Sequence, residues 1–266
     1  MKMNHRMKIM REKDLADNPS DRLPICLCVD TSSSMNTVVR GETHDTGRTV
    51  QVEGETLHLV EGGESRINDV NAGIREFYSS IMSDDMAVDI VELSVVCFDE
   101  EARCEIDFIG MDKQDGLSNI ELKAEEDETQ IGKGVKLALQ VLDERVREYQ
   151  ESGVRYYRPW LVIMTDGEAT RKNSNLVLNE EAARETRKRE QDKRLVVFPV
   201  CTEDTSGESL KQFSCREPLR FDQAQFREFF RRLTNSAKTI ATDSTPGAED
   251  VDLDNVYIEM AKKMGK

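Results

Sequence analysis

No stretch of this chain approaches the ~20 consecutive apolar residues that a membrane-spanning helix needs. The first dozen residues, Met1 to Glu12, carry charge where a secretory signal would carry an apolar core, so a cytoplasmic location is the expectation. Cysteine is sparse at six residues with no C-x-x-C spacing, and the three histidines, His5, His44 and His58, lie apart from any cysteine cluster. A zinc site therefore has no support. Cys26, Cys28, Cys97 and Cys201 fall in apolar runs, where a thiol behaves as a small buried hydrophobe, and a reducing compartment disfavours a disulfide framework. Basic residues are outnumbered, 37 against 52 acids, for a formal net charge of -15. Such a surface repels phosphate backbones and anionic lipid, which argues against nucleic acid or membrane as partner. Two basic clusters, Arg184 to Arg189 and Arg227 to Arg232, are interleaved with Glu and read as solvated helix faces. There is no P-loop, no Gly-x-Ser-x-Gly elbow, no internal repeat and no low-complexity segment.

What the chain does have is the segment Leu23-Pro-Ile-Cys-Leu-Cys-Val-Asp-Thr-Ser-Ser-Ser-Met35, an apolar run ending in Asp30-x-Ser32-x-Ser34. The run reads as a buried parallel strand, which puts the acid and hydroxyls at the strand's carboxyl end, where open α/β sheets place their ligands. Oxygen-only donors suit a hard cation such as Mg²⁺, with Mn²⁺ or Ca²⁺ as substitutes. A second apolar run, Pro159 to Thr165, breaks into Asp166-Gly167. Between them, Asp127-Glu-Thr129-Gln-Ile-Gly-Lys-Gly134 reads as a polar turn opening a helix, so Thr129 presents a hydroxyl beside the same sheet edge. Three loops thus offer Asp30, Ser32, Ser34, Thr129 and Asp166 to one point.

Asp-x-Ser-x-Ser, a lone Thr in a Gly-punctuated loop and Thr-Asp-Gly, in this order, resemble the metal-ion-dependent adhesion site of von Willebrand factor A (VWA) domains, over roughly residues 23 to 247. The phrases Met164-Thr-Asp-Gly-Glu168, Pro218-Leu-Arg-Phe221, Phe226 to Phe230 and Ser244-Thr-Pro-Gly247 are similar to the bacterial TerY-like branch associated with tellurium-resistance and stress-response loci. The resemblance implies that Ser32, Ser34 and Thr129 contact Mg²⁺, that Asp30 and Asp166 do so directly or through water, and that a partner's carboxylate completes the shell.

A pass along the chain gives strands at 24–30, 88–98, 102–109, 160–166, 195–201 and 218–221, and helices at 67–82, 132–150, 177–192, 207–214 and 223–240. This predicts a doubly wound, mostly parallel α/β sheet with helices on both faces. The runs Val91 to Phe98 and Ala102 to Phe108 flank Asp99-Glu-Glu101 and suggest one antiparallel edge strand. Residues 1–22 read as an N-terminal arm, 23–241 as the domain, and 242–266 as an acidic linker followed by a short amphipathic helix over Val256 to Lys263. About thirty residues, 36–66, separate the Ser-rich turn from the first helix. Within them Thr49 to Val60 alternates around Glu53-Gly54, a β-hairpin signal followed by the loop Glu61-Gly-Gly-Glu64, and His58 falls in the hairpin as a surface residue. That insert sits beside the candidate site, as a lid, a partner-selective arm or a plain surface hairpin of the kind exposed loops tolerate.

Two functions fit. One is a Mg²⁺-dependent protein-binding module that captures a partner's Asp or Glu. The other is a Mg²⁺-dependent phosphatase or phosphotransferase with Asp30 as nucleophile. Against it, the position two residues after Asp30, where an acid/base Asp would serve, is Ser32, and no lysine is fixed by motif.

Overall fold

The structure is a computed structural model, and it describes residues 5–52, 55–167, 173–203, 205, 207–221 and 226–242. The continuous apolar runs form strands buried along their whole length: β1 (Leu23–Asp30), β4 (Val91–Phe98), β6 (Trp160–Thr165) and β7 (Val196–Thr202). With β5 (Ala102–Ile106) and β8 (Leu219–Phe221) they make a six-stranded sheet in the order β5-β4-β1-β6-β7-β8. Every pairing is parallel except β4 with β5, the antiparallel edge.

Alternate residues of each strand enter opposite cores. Leu23, Ile25, Leu27 and Val29 face a layer that includes α2 (Arg66–Met82) and α7 (Phe226–Thr242). Cys26 and Cys28 face α4 (Ile131–Ser152) and α5 (Asn173–Gln191). Each fully buried Leu, Ile or Val contributes about 1.5–3 kcal/mol, so both helical layers are held chiefly by these side chains. The glycines of the Thr129 segment serve packing. Gly134 lies in α4, where an added Cβ would come within 2.7 Å of the Phe98 ring, and Gly132 would meet the Asn179 backbone at 2.9 Å.

Several boundaries differ from the sequence expectation for local reasons. The strand expected from residue 88 begins at Val91, because Asp84 Oδ1 accepts the amides of Met86 and Ala87 and opens the single turn α3 (Ala87–Ile90). The one expected to reach 109 stops at Ile106, where the Asp107 carboxylate accepts the next amide, that of Phe108. The helix expected over 207–214 is the short α6 (Glu208–Lys211), since Glu190 beyond it takes the Ser214 hydroxyl and the Cys215 amide.

The insert forms its own two-stranded antiparallel sheet, β2 (Val38–Val52) with β3 (Glu55–Ser65), longer than the sequence signal. Gly62 and Gly63, expected in a loop, belong to β3. With Gly41 opposite they adopt positive φ, which lets the irregular ladder continue through its register shifts. Residues 5–17 form a further helix, α1 (His5–Asp17). Of the expected linker and terminal helix of 242–266, Thr242 ends α7 instead and the rest, like the hairpin tip Glu53-Gly54 and the phrase Ser244 to Gly247, lies outside the described residues.

Candidate metal centre

From β1 the sheet grows one way through β4 and β5 and the other way through β6, β7 and β8. The chain leaving β1 leads to α2 on one face, and the chain leaving β6 leads to α5 on the other. Their carboxyl ends therefore flank a crevice at the topological switch point, where such sheets bind ligands. Asp30 ends β1 and Asp166 follows β6.

Hydrogen bonds link these ends. Asp30 is fully buried; its Oδ1 accepts the Ser32 amide at 2.8 Å and its Oδ2 accepts the Thr165 hydroxyl. Ser32 starts a single 3₁₀ turn, Ser33–Asn36, and its Oγ lies 3.1 Å from Ser34 Oγ. The Ser34 hydroxyl donates to Asp166 Oδ1 at 2.7 Å, and Arg66 Nη1 donates to Asp166 Oδ2 at 2.6 Å. The Thr129 segment is drawn in from a third side: the Ser33 amide donates to the Glu126 carbonyl at 2.6 Å, and the Gln130 amide to the Asp99 carbonyl at 3.0 Å. Gly167 reports the convergence, because a Cβ built there would sit 3.8 Å from Ser34 Oγ and 4.0 Å from Thr129 Oγ1. All five residues expected from the sequence thus meet in one place.

Two participants were not anticipated. Thr165 follows from register: Val29 pairs with Met164, so the next residues, Asp30 and Thr165, are neighbours. Arg66 carried no signal, because only the path of the insert brings it to the crevice. It is the first residue of α2 and is 5% exposed. Further out, the Thr31 hydroxyl and Arg103 Nη1 both donate to Asp99 Oδ2, at 2.8 and 2.5 Å, which ties the turn after β1 to the end of β4.

Burial pushes the Asp30 carboxyl up to about 7, and the nearby Asp166 charge adds to it, against the lowering effect of the Thr165 and Ser32 hydrogen bonds. Two carboxylates sharing a buried crevice this way favour a bound cation. The donors are two carboxylates and three hydroxyls, and among the described residues no group of three or more His, Cys, Asp or Glu is poised for a metal. That all-oxygen set fits a hard divalent ion and not a thiophilic one.

A cavity of about 720 Å³ lies at the opposite end of the sheet, lined by the residues that precede β6 and β7, including Arg155, Arg158 and Arg194. Its cations are largely taken: Arg189 by Asp143, Arg155 by Asp21 and Arg194 by Asp192. Among the described residues no helix is long and apolar enough to cross a membrane.

A family model described as von Willebrand factor type A domain matches residues 25–169. The vWF domain of the type V pili tip protein Mfa5 from Porphyromonas gingivalis superposes with a TM-score of 0.56 at 12% identity, covering 85% of this chain and 98% of that one. The PilB minor pilin from Streptococcus sanguinis gives 0.52 at 14% identity, over 85% and 64% of the two chains. Proximal thread matrix protein 1 from the mussel byssus gives 0.47 at 13% identity; this chain spans 48% of its length. No curated protein sequence matches. At these identities the likeness is one of fold.

Proposed function

The chain belongs to the von Willebrand factor type A domain family, and from that premise we propose that it is a Mg²⁺-dependent protein-binding module whose metal captures a partner's carboxylate. The observation that carries this reading is the hydrogen-bonded series Asp30–Ser32–Ser34–Asp166 at the switch point with Thr129 beside it. Ser32, Ser34 and Thr129 would hold the ion through hydroxyls and Asp30 and Asp166 would balance its charge. The ion would supply a Lewis-acidic position for one further hard oxygen. Neighbours of similar fold include a pilus tip protein and a minor pilin, in keeping with a binding role.

The surroundings shape the partner. A cavity of about 370 Å³ beside the site is lined by Asp99, Glu105, Glu121, Glu125 and Glu126 with Arg103 and Lys123. A partner would thus present its Asp or Glu from basic surroundings; nucleic acid and membrane are not its targets. The phrases around Met164, Pro218 and Phe226 support the TerY-like branch and a bacterial stress-response or tellurium-resistance setting. None of the six cysteines is in a disulfide, which suits the cytoplasm. We take 23–241 as the domain carrying the insert, 1–22 as an arm docked on it through α1, and 242–266 as an appended tail. The phosphotransferase reading is disfavoured because both Asp30 oxygens are engaged and the side chain is fully buried, which leaves a poor nucleophile.

The test is Mg²⁺-dependent partner capture by the Thr129→Ala protein, a cleaner variant than Asp166→Ala, which would strand the buried Arg66. Capture should fail at unchanged circular dichroism, and the wild type should lose it in EDTA yet keep it in moderate NaCl. Capture that persists in EDTA but is lost in salt would remove the metal from the mechanism.

A further inference from the structure

The geometry points to the cavity at the start of β6 and β7 as a second binding site, one that takes a small phosphate ester with an apolar or aromatic body. It lies at the end of the sheet away from the metal centre and shares no residue with it.

At about 720 Å³ the cavity has the size of a small-molecule pocket. Its lining divides into two halves. Leu142 and Val146 of α4, with Leu195 and Tyr156, give an apolar wall, and the Tyr156 ring is held against buried Tyr149 at 5.5 Å between centroids. Arg155, Arg158, Arg189 and Arg194 supply guanidinium groups, the forked donors that match phosphate oxygens, and one acid, Asp143, lies among them. A cationic concavity in a chain of net charge -15 is not a product of bulk composition, and it concentrates anions locally.

Arg158 decides the assignment. It is half-buried, yet among the described residues it makes no hydrogen bond, ion pair or ring contact. The carbonyl of the next residue, Pro159, accepts the Val196 amide at 2.9 Å, so the backbone carrying Arg158 is pinned to the first residue of β7. An arginine on a fixed edge with its donors unused is prepared for a ligand. Asp143 does not answer it, because Arg189 takes both of its oxygens, at 2.6 and 2.9 Å. Arg155 and Arg194 are exposed, and each makes a single contact with its acid, Asp21 at 2.9 Å and Asp192 at 3.1 Å. Such pairs contribute little and are readily exchanged for an incoming anion.

Backbone strain marks the same rim. Helices α4 and α5 close with the same two bonds: the Val154 amide to the Tyr149 carbonyl and Gly153 to Gln150 in one, Arg194 to Arg189 and Lys193 to Glu190 in the other. This closure puts one residue past the helix at positive φ, 70° at Gly153 and 54° at Lys193. Glycine adopts that conformation freely. Among the described residues Lys193 is the one non-glycine that does so, and it lines the cavity, so a steric cost is borne where a cationic chain is set on the rim. Cations also suit the carboxyl end of a helix, which accounts for Arg189 but not for Arg158, which lies outside any helix.

The experiment is a calorimetric titration of phenyl phosphate and of inorganic phosphate into the full chain, in EDTA so that no metal holds the anion, for the wild type, Arg158→Gln and Lys193→Gly. Phenyl phosphate should bind saturably and about tenfold tighter than inorganic phosphate, since its ring meets the apolar wall. Arg158→Gln should weaken it about tenfold at an unchanged melting temperature. Lys193→Gly should also weaken it, at a melting temperature that is unchanged or higher because the strained residue is relieved. No binding by the wild type, or binding that Arg158→Gln leaves intact, overturns the site. Phenyl phosphate that binds no tighter than inorganic phosphate overturns the assignment of a ligand with an apolar body.

Discussion

At the scale of single residues, the crevice couples proton and metal. Asp30 has its carboxyl raised from the ordinary 3.8 to about 7, first by burial and then by Asp166. The folded protein therefore keeps a proton that the unfolded chain releases, and the stability contributed by that proton is present below about pH 4 and lost as pH rises to about 7. Without metal, the melting temperature should fall between about pH 5 and about pH 8 by several degrees more for the wild type than for Asp30→Asn. Parallel curves for the two proteins would show that Asp30 does not titrate in this window. Mg²⁺ favours the carboxylate, so its stabilising effect should be larger at the higher pH. Asp30, Ser32, Ser34 and Asp166 were legible because they stand where an apolar run breaks, and Thr129 because it sits in a polar turn that opens a helix. Arg66 was not, since its contact with Asp166 spans 100 residues and depends on where the insert returns.

At the scale of elements, the hairpin was readable in type but not in extent. Alternation marked Thr49 to Val60, but the outer ladder from Val38 to Asp45 runs through positive-φ glycines and bulges that imitate a loop. Its base is clamped, with Arg40 on Asp69 and Glu64 on Arg227 of α7, whereas among the described residues β2 and β3 pair only with each other. A lone two-stranded ribbon adds little stability. Replacing Thr43 to Gly62 by a tight turn should thus lower the melting temperature by only a few degrees. Arg40→Ala, which strips a partner from buried Asp69, should cost more than that whole deletion; the reverse order would show the ribbon to be part of the core. The crossing of α2 on α7 is tight for a different reason. A Cβ on Gly73 would come within 2.9 Å of three atoms of the Phe230 ring. Gly73→Ala should cost about 1–3 kcal/mol in urea unfolding, and Phe230→Leu in the same chain should recover part of it.

At the scale of the whole molecule, the sheet was legible because its central strands are apolar on both faces, a pattern that only a doubly covered parallel sheet buries. The opposite end of the sheet was not. In Val91-Glu-Leu-Ser the alternation suggests a wet face, yet Glu92 and Ser94 are fully buried. Arg145 of α4 grips Glu92 with two bonds of 2.7 and 2.6 Å, Tyr149 donates to it at 2.7 Å, and Arg22 lies 3.7 Å away. Helix α1 closes this network, with Asp14 near Arg145 and Arg11 paired to Asp107 and Glu148. Polar partners drawn from α1, β4, α4 and the connecting residues Arg22 and Asp107 leave no periodic trace in the sequence. Their energetics are asymmetric, because a buried pair is worth little beyond an apolar replacement while a buried charge robbed of its partner is expensive. Glu92→Ala should therefore destabilise the fold by about 3–5 kcal/mol in urea, although it lies at the end of the sheet away from the metal centre. Adding Arg145→Met should restore part of that loss, with Arg22 left to Asp14 at 4.0 Å and to the Asn18 and Asp89 carbonyls. A double variant no more stable than Glu92→Ala would mean that the penalty comes from lost packing around Tyr149 and not from the stranded charge.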